Sequence, residues 1–201
     1  MIKITEKTNR RIRKRKAMLE QISGAAARLF KTRGFESVTM ELIATEADVS
    51  KRTLYKHFPS KDAVLAYMLE AELDRDMATF ELKLSKESTF RDSVSALLEQ
   101  SAAWCEAHPD YLLPYIRHKF ATFDPAAERL SRGDIVQTWI MLIAQGQRIG
   151  ELNTRQPTEQ LAIYFHYLYF GALMRWITNP DLKLKNEFDA VVTLFIEGAK
   201  A

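Results

Sequence analysis

The segment from Thr39 to Lys61 constrains the fold of this chain more than any other part. Its sequence, TMELIATEADVSKRTLYKHFPSK, is typical of two short helices joined by a tight turn and followed by the start of a third. Thr39 and Ser50 are suited to cap the two helix N-termini, because their hydroxyl oxygens accept hydrogen bonds from free backbone N–H groups. Asp48, in the turn, tolerates left-handed backbone better than most residues. The pattern predicts a compact helical hairpin.

The second helix of this hairpin, Lys51–His57, has one clearly apolar interior residue, Leu54. A helix this polar buries little apolar surface, which suggests that its exposed cationic face has a function other than packing. One alternative is a solvated hairpin within a helical bundle. Small Ala44 at the helix crossing, the tight turn and the basic, aromatic second helix together favour a helix-turn-helix. In that motif the second helix enters a major groove of DNA.

Charge is distributed unevenly along the chain. Residues 1–61 carry 15 Lys and Arg against 6 Asp and Glu, a formal charge of +9. Residues 62–201 carry 14 against 20, a formal charge of −6. A basic N-terminal third on an acidic remainder is typical of a protein that docks one end on phosphate.

A run of cations precedes the first predicted helix. We expect residues 1–16 to form a basic N-terminal arm, either a solvated tail or an element that follows phosphates or enters the minor groove. The sequence leaves both alternatives open. The arm residues predicted to contact DNA are the six cations of the run Arg10–Lys16, which are Arg10, Arg11, Arg13, Lys14, Arg15 and Lys16.

The hairpin resembles the N-terminal DNA-binding domain of TetR-type (TetR/AcrR) transcriptional regulators. The resemblance covers about Ile12 to Leu73, and Asp48 departs from it where the family usually has Gly. It implies a three-helix DNA-binding domain at 17–72, with the helix-turn-helix at about 39–58, and an effector-binding and dimerisation domain at 73–201. The matching residues are Thr39, Ile43, Ala44, Ala47, Val49, Ser50, Thr53, Leu54, Tyr55, His57, Phe58 and Lys61.

The expected DNA contacts divide into base readers and phosphate contacts. Lys51 or Arg52 is the expected reader of guanine, because paired donors meet its O6 and N7 atoms. Lys61, in the first turn of the next helix, is expected to hold a phosphate with nearby backbone N–H groups. The predicted DNA-binding residues are Thr39, Lys51, Arg52, Thr53, Tyr55, Lys56, His57 and Lys61.

Apolar periodicity and helix-boundary signals predict an all-α chain of about nine helices without strands. We expect the helix that starts at Pro109 to be kinked or interrupted near Pro114. The predicted helices lie at about 17–33, 39–47, 51–57, 61–84, 90–107, 109–122, 125–149, 157–178 and 184–199.

The last two predicted helices are apolar over more than one face. Such helices are buried on more than one side, either in a monomer core or partly against a second subunit. The second alternative gives a four-helix interface with two-fold symmetry, which the family resemblance also implies. The predicted interface residues are Phe165, Tyr169, Gly171, Phe188, Val192 and Phe195.

The family resemblance also implies a ligand pocket among the middle helices. Aromatic side chains with a few polar companions suit a small, largely apolar ligand. An aromatic at helical spacing is nevertheless more often a core residue. Tyr164 and Tyr167 could serve either this pocket or the subunit interface. The predicted pocket residues are Trp104, Tyr115, Phe120, Phe123, Trp139, Tyr164 and Tyr167.

Other chemistries have little support in the sequence. It contains no nucleophile elbow, phosphate-binding glycine loop or zinc-protease motif, and its four histidines lack metal-ligand spacing. Cys105 is the single cysteine, which excludes an intrachain disulfide and fits a reducing cytosol. No apolar run approaches the ~20 residues of a membrane span, and no secretory signal is evident. We therefore expect no catalytic residues, metal, cofactor or membrane contact, and a cytoplasmic protein that joins the nucleoid when bound to DNA.

The functional hypothesis is a homodimeric transcriptional regulator that binds a palindromic operator in double-stranded DNA. We expect a repressor that a small, largely apolar effector releases from its operator. One alternative is a regulator of the same fold controlled by a protein partner or by no ligand. A helical enzyme with a basic surface is the weaker alternative.

Overall fold

A computed structural model of the chain describes residues 2–83, 88–122, 135–179 and 181–200, with side chains from Arg10 onward except at 74, 76–78 and 80–83. The all-α fold class is confirmed, because these residues form helices and no strand, apart from one bridge between Leu152 and Lys200. The helices are α1 (Ile2–Arg33), α2 (Met40–Glu46), α3 (Lys51–His57), α4 (Lys61–Lys83), α5 (Phe90–Ala107), α6 (Pro109–Ala121), α7 (Ile135–Arg148), α8 (Thr158–Thr178) and α9 (Leu184–Ala199).

The chain forms two compact units. The first contains residues 1–71 and 113–123, and the second contains 72–112 and 124–201. Helices α4 and α6 therefore contribute residues to both units. Each unit has its own buried apolar core.

The core of the first unit is built from α1 to α4. Apolar residues at helical spacing on α1, including Ile22 and Phe30, are buried together with Ile43 of α2 and Leu54 of α3. The side-chain amide of Gln21 donates to the Ala47 carbonyl at 2.7 Å, which ties α1 to the end of α2. The three-helix scaffold that the sequence predicts is thus present, with α3 anchored through Leu54.

The N-terminus of α1 differs from the prediction. The first helix was expected to begin near Ala17, but it begins at Ile2, so residues 2–16 are helical and continuous with α1. Lys and Arg are good helix formers, and repulsion between like charges one turn apart costs only about 0.2–0.5 kcal/mol per pair. A run of cations therefore does not end a helix as Gly or Pro does.

The middle helices also differ from expectation in one respect. Helix α6 continues through Pro114, so the predicted interruption is absent, while the predicted kink stays a prediction. The predicted start of the next helix at Asp124–Pro125 lies outside the described residues, and α7 is described from Ile135.

An aromatic cluster fills the core of the second unit. The Phe165 ring centroid lies 5.0 Å from that of Trp139, 5.8 Å from that of Phe90 and 4.9 Å from that of Phe195. The Tyr169 hydroxyl, buried in the same cluster, hydrogen-bonds to the Ser101 hydroxyl at 3.1 Å. Edge-to-face ring pairs of this kind stabilise a core beyond the area they bury.

Two carboxylates join helices of the second unit by capping N-termini. Glu151 accepts hydrogen bonds from the backbone N–H groups of Phe90 and Arg91 at the start of α5. Glu106 of α5 accepts from the Leu184 N–H at 3.0 Å, at the start of α9. Negative charge is favourable at both places because free N–H groups and the helix dipole meet there.

Five of the six predicted interface residues lie in this core, so their assignment to a subunit interface is wrong. Both α8 and α9 were correctly expected to be apolar on more than one face, but the face that packs inward was misassigned. Only Gly171 lies on the open side of α8, where a Cβ atom would meet nothing within 4 Å. The buried residues are Phe165, Tyr169, Phe188, Val192 and Phe195.

Candidate nucleic-acid interface

Local hydrogen bonds define the beginning of α2 and α3. The Thr39 hydroxyl accepts from the Leu42 N–H at 3.2 Å, and the Ser50 hydroxyl accepts from the Thr53 N–H at 3.1 Å. Both predicted N-caps are confirmed. Each cap satisfies a backbone donor that the helix itself leaves free.

Asp48 turns the chain between α2 and α3. It is the one described residue other than glycine with a positive φ, at 48°. The Val49 N–H then donates to the Ala44 carbonyl at 3.0 Å, which closes the end of α2. The expected left-handed backbone is confirmed, and it directs the chain straight into α3.

Helix α3 presents its cations to solvent. Leu54 is fully buried, whereas Tyr55 is 46% exposed. Lys51, Arg52 and Lys56 are exposed as well. Because one buried residue anchors the helix, almost its whole remaining surface is open to a ligand with the shape and charge of DNA.

Lys51 and Arg52 differ in their partners. The Lys51 ammonium lies 3.3 Å from a Glu41 carboxylate oxygen. A backbone hydrogen bond at Glu41, followed by the hydrogen bond and charge of Lys51, lowers the pKa of the Glu41 carboxyl. Among the described residues no carboxylate pairs with Arg52. Arg52 is therefore the cation at the start of α3 that is available to DNA without leaving an ion pair.

Lys61 has structural partners that the sequence did not indicate. Its ammonium donates to the Phe35 carbonyl at 2.7 Å and the Glu36 carbonyl at 3.3 Å, and lies 4.2 Å from the centroid of the Phe35 ring. These contacts join the start of α4 to the loop after α1. The predicted phosphate contact of Lys61 stays a prediction, and the residue also links two elements of the fold.

We expect Lys61→Met to lower the free energy of unfolding by about 1.5–3 kcal/mol, because hydrogen bonds from a charged donor are lost while the stem is kept. Urea unfolding measures this change. The control is Lys56→Met, whose exposed side chain should change stability by less than about 0.5 kcal/mol. Equal stability of both variants would contradict the linking role of Lys61.

The basic residues of the arm lie on the surface of α1, and all residues from Arg10 to Lys16 are exposed. Several of them face the end of α3 across an open groove of about 630 Å³. Sequence reasoning missed this groove because it depends on where α1 lies relative to α3. The lining residues are Arg11, Ile12, Lys14, Arg15, Met18, Lys56 and His57.

The predicted pocket residues differ in their burial. Trp139 is fully buried in the aromatic core, whereas Phe120, Tyr164 and Tyr167 are more than half exposed. Such exposure does not favour an interior pocket for these three side chains, and Tyr164 and Tyr167 keep the alternative place at a subunit interface. Trp104 and Tyr115 are half-buried and belong to different units. Phe123 lies outside the described residues.

The described parts of the chain do not support metal or thiol chemistry. They contain no group of three or more His, Cys, Asp or Glu side chains that could hold a metal ion. No helix there is long and apolar enough to cross a membrane. Burial raises the pKa of the Cys105 thiol to about 12, so this cysteine stays protonated at neutral pH and is a poor nucleophile.

The capped α2, the Asp48 turn and the exposed cationic α3 define a helix-turn-helix DNA-binding protein with a helical C-terminal unit. Residues 22–68 match the family model for bacterial regulatory proteins of the tetR family. The first unit of the chain therefore carries a helix-turn-helix domain of the tetR type.

Similar proteins extend this relationship beyond the first unit. YfiR, a helix-turn-helix transcriptional regulator of Bacillus subtilis, is 27% identical over 150 residues, which are 72% of this chain and 73% of YfiR. UidR of Escherichia coli is 35% identical over 60 residues, covering 30% of this chain and 31% of UidR. FadR of Thermus thermophilus, a TetR family repressor whose crystal structure contains lauroyl-CoA, is 26% identical. Its TM-score is 0.68, with 90% of this chain and 94% of FadR covered.

Proposed function

We propose that the protein is a sequence-specific repressor that binds an inverted-repeat operator as a homodimer and leaves it when an effector binds. The observation that carries this proposal is the exposed cationic surface of α3 around the single buried anchor Leu54. Arg52 reads guanine in the major groove, and Tyr55 contacts a phosphate and a thymine methyl. Thr39, Lys51, Thr53, Lys56 and His57 hold the DNA backbone and set the register.

Dimerisation is proposed through the outer faces of α8 and α9. Tyr164, Tyr167, Gly171 and Met174 follow one another at spacings of three and four residues, and all lie on the open side of α8. Leu194 of α9 is 61% exposed. Such an apolar stripe suits helix packing against a second copy, and a dimer is needed because one helix-turn-helix contacts only one half-site. Of the two places that the sequence left open for Tyr164 and Tyr167, this proposal takes the interface.

Effector control is proposed from the interior of the second unit. Within the described residues, the Trp139 indole N–H and the Ser93 hydroxyl are buried without a hydrogen-bond partner. A buried polar group left unpaired costs about 1–3 kcal/mol, and a ligand carbonyl or hydroxyl would remove that cost. Because the similar FadR repressor binds lauroyl-CoA, long-chain acyl-CoA is the effector class to test first.

Selection of bound fragments from a random duplex pool tests the DNA part of the proposal. We expect an inverted repeat whose half-sites lie about one helical turn, 10–10.5 base pairs, or a multiple of it apart. Recovery of unrelated fragments, with equal affinity for random DNA, would contradict sequence-specific regulation.

A thermal shift measurement tests the effector. An acyl-CoA at 100 times its dissociation constant should add about 2.7 kcal/mol of stability, which raises the Tm by about 5–10 °C. It should also release the selected operator, and Trp139→Phe should weaken both effects because the indole N–H is removed with little loss of volume. No shift with any apolar effector would favour control by a protein partner or by no ligand.

A further inference from the structure

We propose that α1 and α3 together form a second DNA contact, a groove that holds the phosphate backbone of one strand along one face of the α1 basic segment. This inference rests on the proposed function. It divides the cations between Arg10 and Lys16 into those that contact DNA and those that do not. Arg11, Lys14 and Arg15 are the groove cations, and Arg10, Arg13 and Lys16 are the outer cations.

Helical geometry separates the two sets. Residues three and four apart lie on the same side of a helix, so Arg11, Lys14, Arg15 and Met18 form one face. This face borders the groove opposite Lys56 and His57, at the end of α3. The outer cations do not line the groove, and Lys16 lies 3.8 Å from the Glu20 carboxylate on α1 itself. A helical arm therefore contacts DNA through half of the six cations between Arg10 and Lys16, whereas a flexible tail would use all six alike.

The groove has the dimensions of a short stretch of nucleic-acid backbone. The eight residues of α1 from Arg11 to Met18 span about 10 Å. A strand that runs along this face therefore passes the groove cations in turn.

The composition of the groove favours a polyanion. Among the described residues that line it, none carries a carboxylate, and Lys56 adds a further cation from α3. Ile12, which is 60% exposed, and Met18 supply apolar surface that suits the C–H groups of deoxyribose between the charges. Arg11 and Arg15 repel each other across one helical turn, and phosphates bound in the groove reduce this charge repulsion.

The position of the groove links it to base reading. Lys56 and His57 belong to the same short helix as Arg52, so a strand held beside them fixes α3 at one end while Arg52 contacts a base near the other. The groove cations then contribute to affinity for every sequence, whereas Arg52 contributes to the choice among sequences.

Two triple variants with the same change of charge test the partition. One replaces the groove cations, Arg11→Ala, Lys14→Ala and Arg15→Ala, and the other replaces the outer cations, Arg10→Ala, Arg13→Ala and Lys16→Ala. Alanine is the strongest helix former, so α1 should stay helical in both, which circular dichroism checks. The dissociation constant for the selected operator is measured by fluorescence anisotropy across a salt series.

We expect the groove variant to reduce the slope of log K against log salt by about 2.7 per bound protomer, because each phosphate contact contributes about 0.9. The outer variant should reduce it by less than about 1. Equal reductions would overturn the proposal in favour of diffuse attraction, and no reduction in either would overturn any contact by the arm. In both of these overturning results the wild-type protein still prefers its operator to random DNA. If the proposed function itself is wrong, the wild-type protein shows no such preference.

Discussion

Replacing Arg52 by alanine is expected to weaken operator binding by about 1–3 kcal/mol, or about 5- to 150-fold, and to remove the preference for guanine at one position of each half-site. The physical reason is the loss of two donors that meet guanine O6 and N7 in parallel. Arg52 is exposed, and no described carboxylate competes for it. Gel-shift titration against the operator and single-base variants measures both effects.

Lys56→Ala is the matched control, because it removes one exposed positive charge from the same helix. It should weaken cognate and random DNA alike and lower the salt slope by about 0.9 per protomer. If Arg52→Ala behaves in the same way, with equal losses on cognate and random DNA, Arg52 contacts phosphate and does not read a base.

Leu194→Glu is expected to convert the dimer into a monomer and to lower operator affinity by more than about 100-fold. A charge placed in the centre of an apolar helix interface loses its hydration without gaining a partner. A monomer then binds one half-site without the gain from simultaneous contact with the second. Light scattering after size-exclusion chromatography reports the mass, and gel shift reports the affinity.

Leu113 on α6 provides a matched control, because its side chain is 52% exposed and that of Leu194 is 61% exposed. Leu113→Glu should leave a dimer with wild-type operator affinity. Circular dichroism should show wild-type helix content for both variants, since neither side chain is in the core. A dimeric Leu194→Glu protein would place the subunit interface away from the outer face of α9.

The DNA-reading part of the structure was predictable because its determinants are local. The caps Thr39 and Ser50 lie within three residues of the N–H groups that they accept from. The positive φ of Asp48 follows from its place in a turn of fixed length. Leu54 is the single apolar residue of α3, so the side of the helix that carries Leu54 is the side that packs on the core.

The faces of α8 were not predictable in the same way. Because α8 is apolar almost all round, periodicity does not show which side packs inward. Tyr164 and Tyr169 illustrate the problem, since both are aromatic with a polar tip. The Tyr164 hydroxyl accepts from Gln160 one turn earlier at the surface, while the Tyr169 hydroxyl bonds to Ser101 in the core. Tertiary packing, which the sequence pattern does not contain, separates them.

Contacts between distant residues account for the remaining differences. Lys61 meets carbonyls 25 and 26 residues earlier in the chain, so its linking role has no local signature. The groove beside α1 likewise depends on α3, about 40 residues away in sequence. The helical state of the arm, by contrast, follows from the helix propensity of Lys and Arg and was open to prediction.

Methylation interference on the selected operator tests the central claim most directly, because N7 of guanine lies in the major groove. If α3 occupies that groove, methylation of at least one guanine in each half-site should block binding of the wild-type protein. The Arg52→Ala protein should become insensitive to that guanine. Undiminished binding to operator methylated at every guanine would show that α3 does not read the major groove.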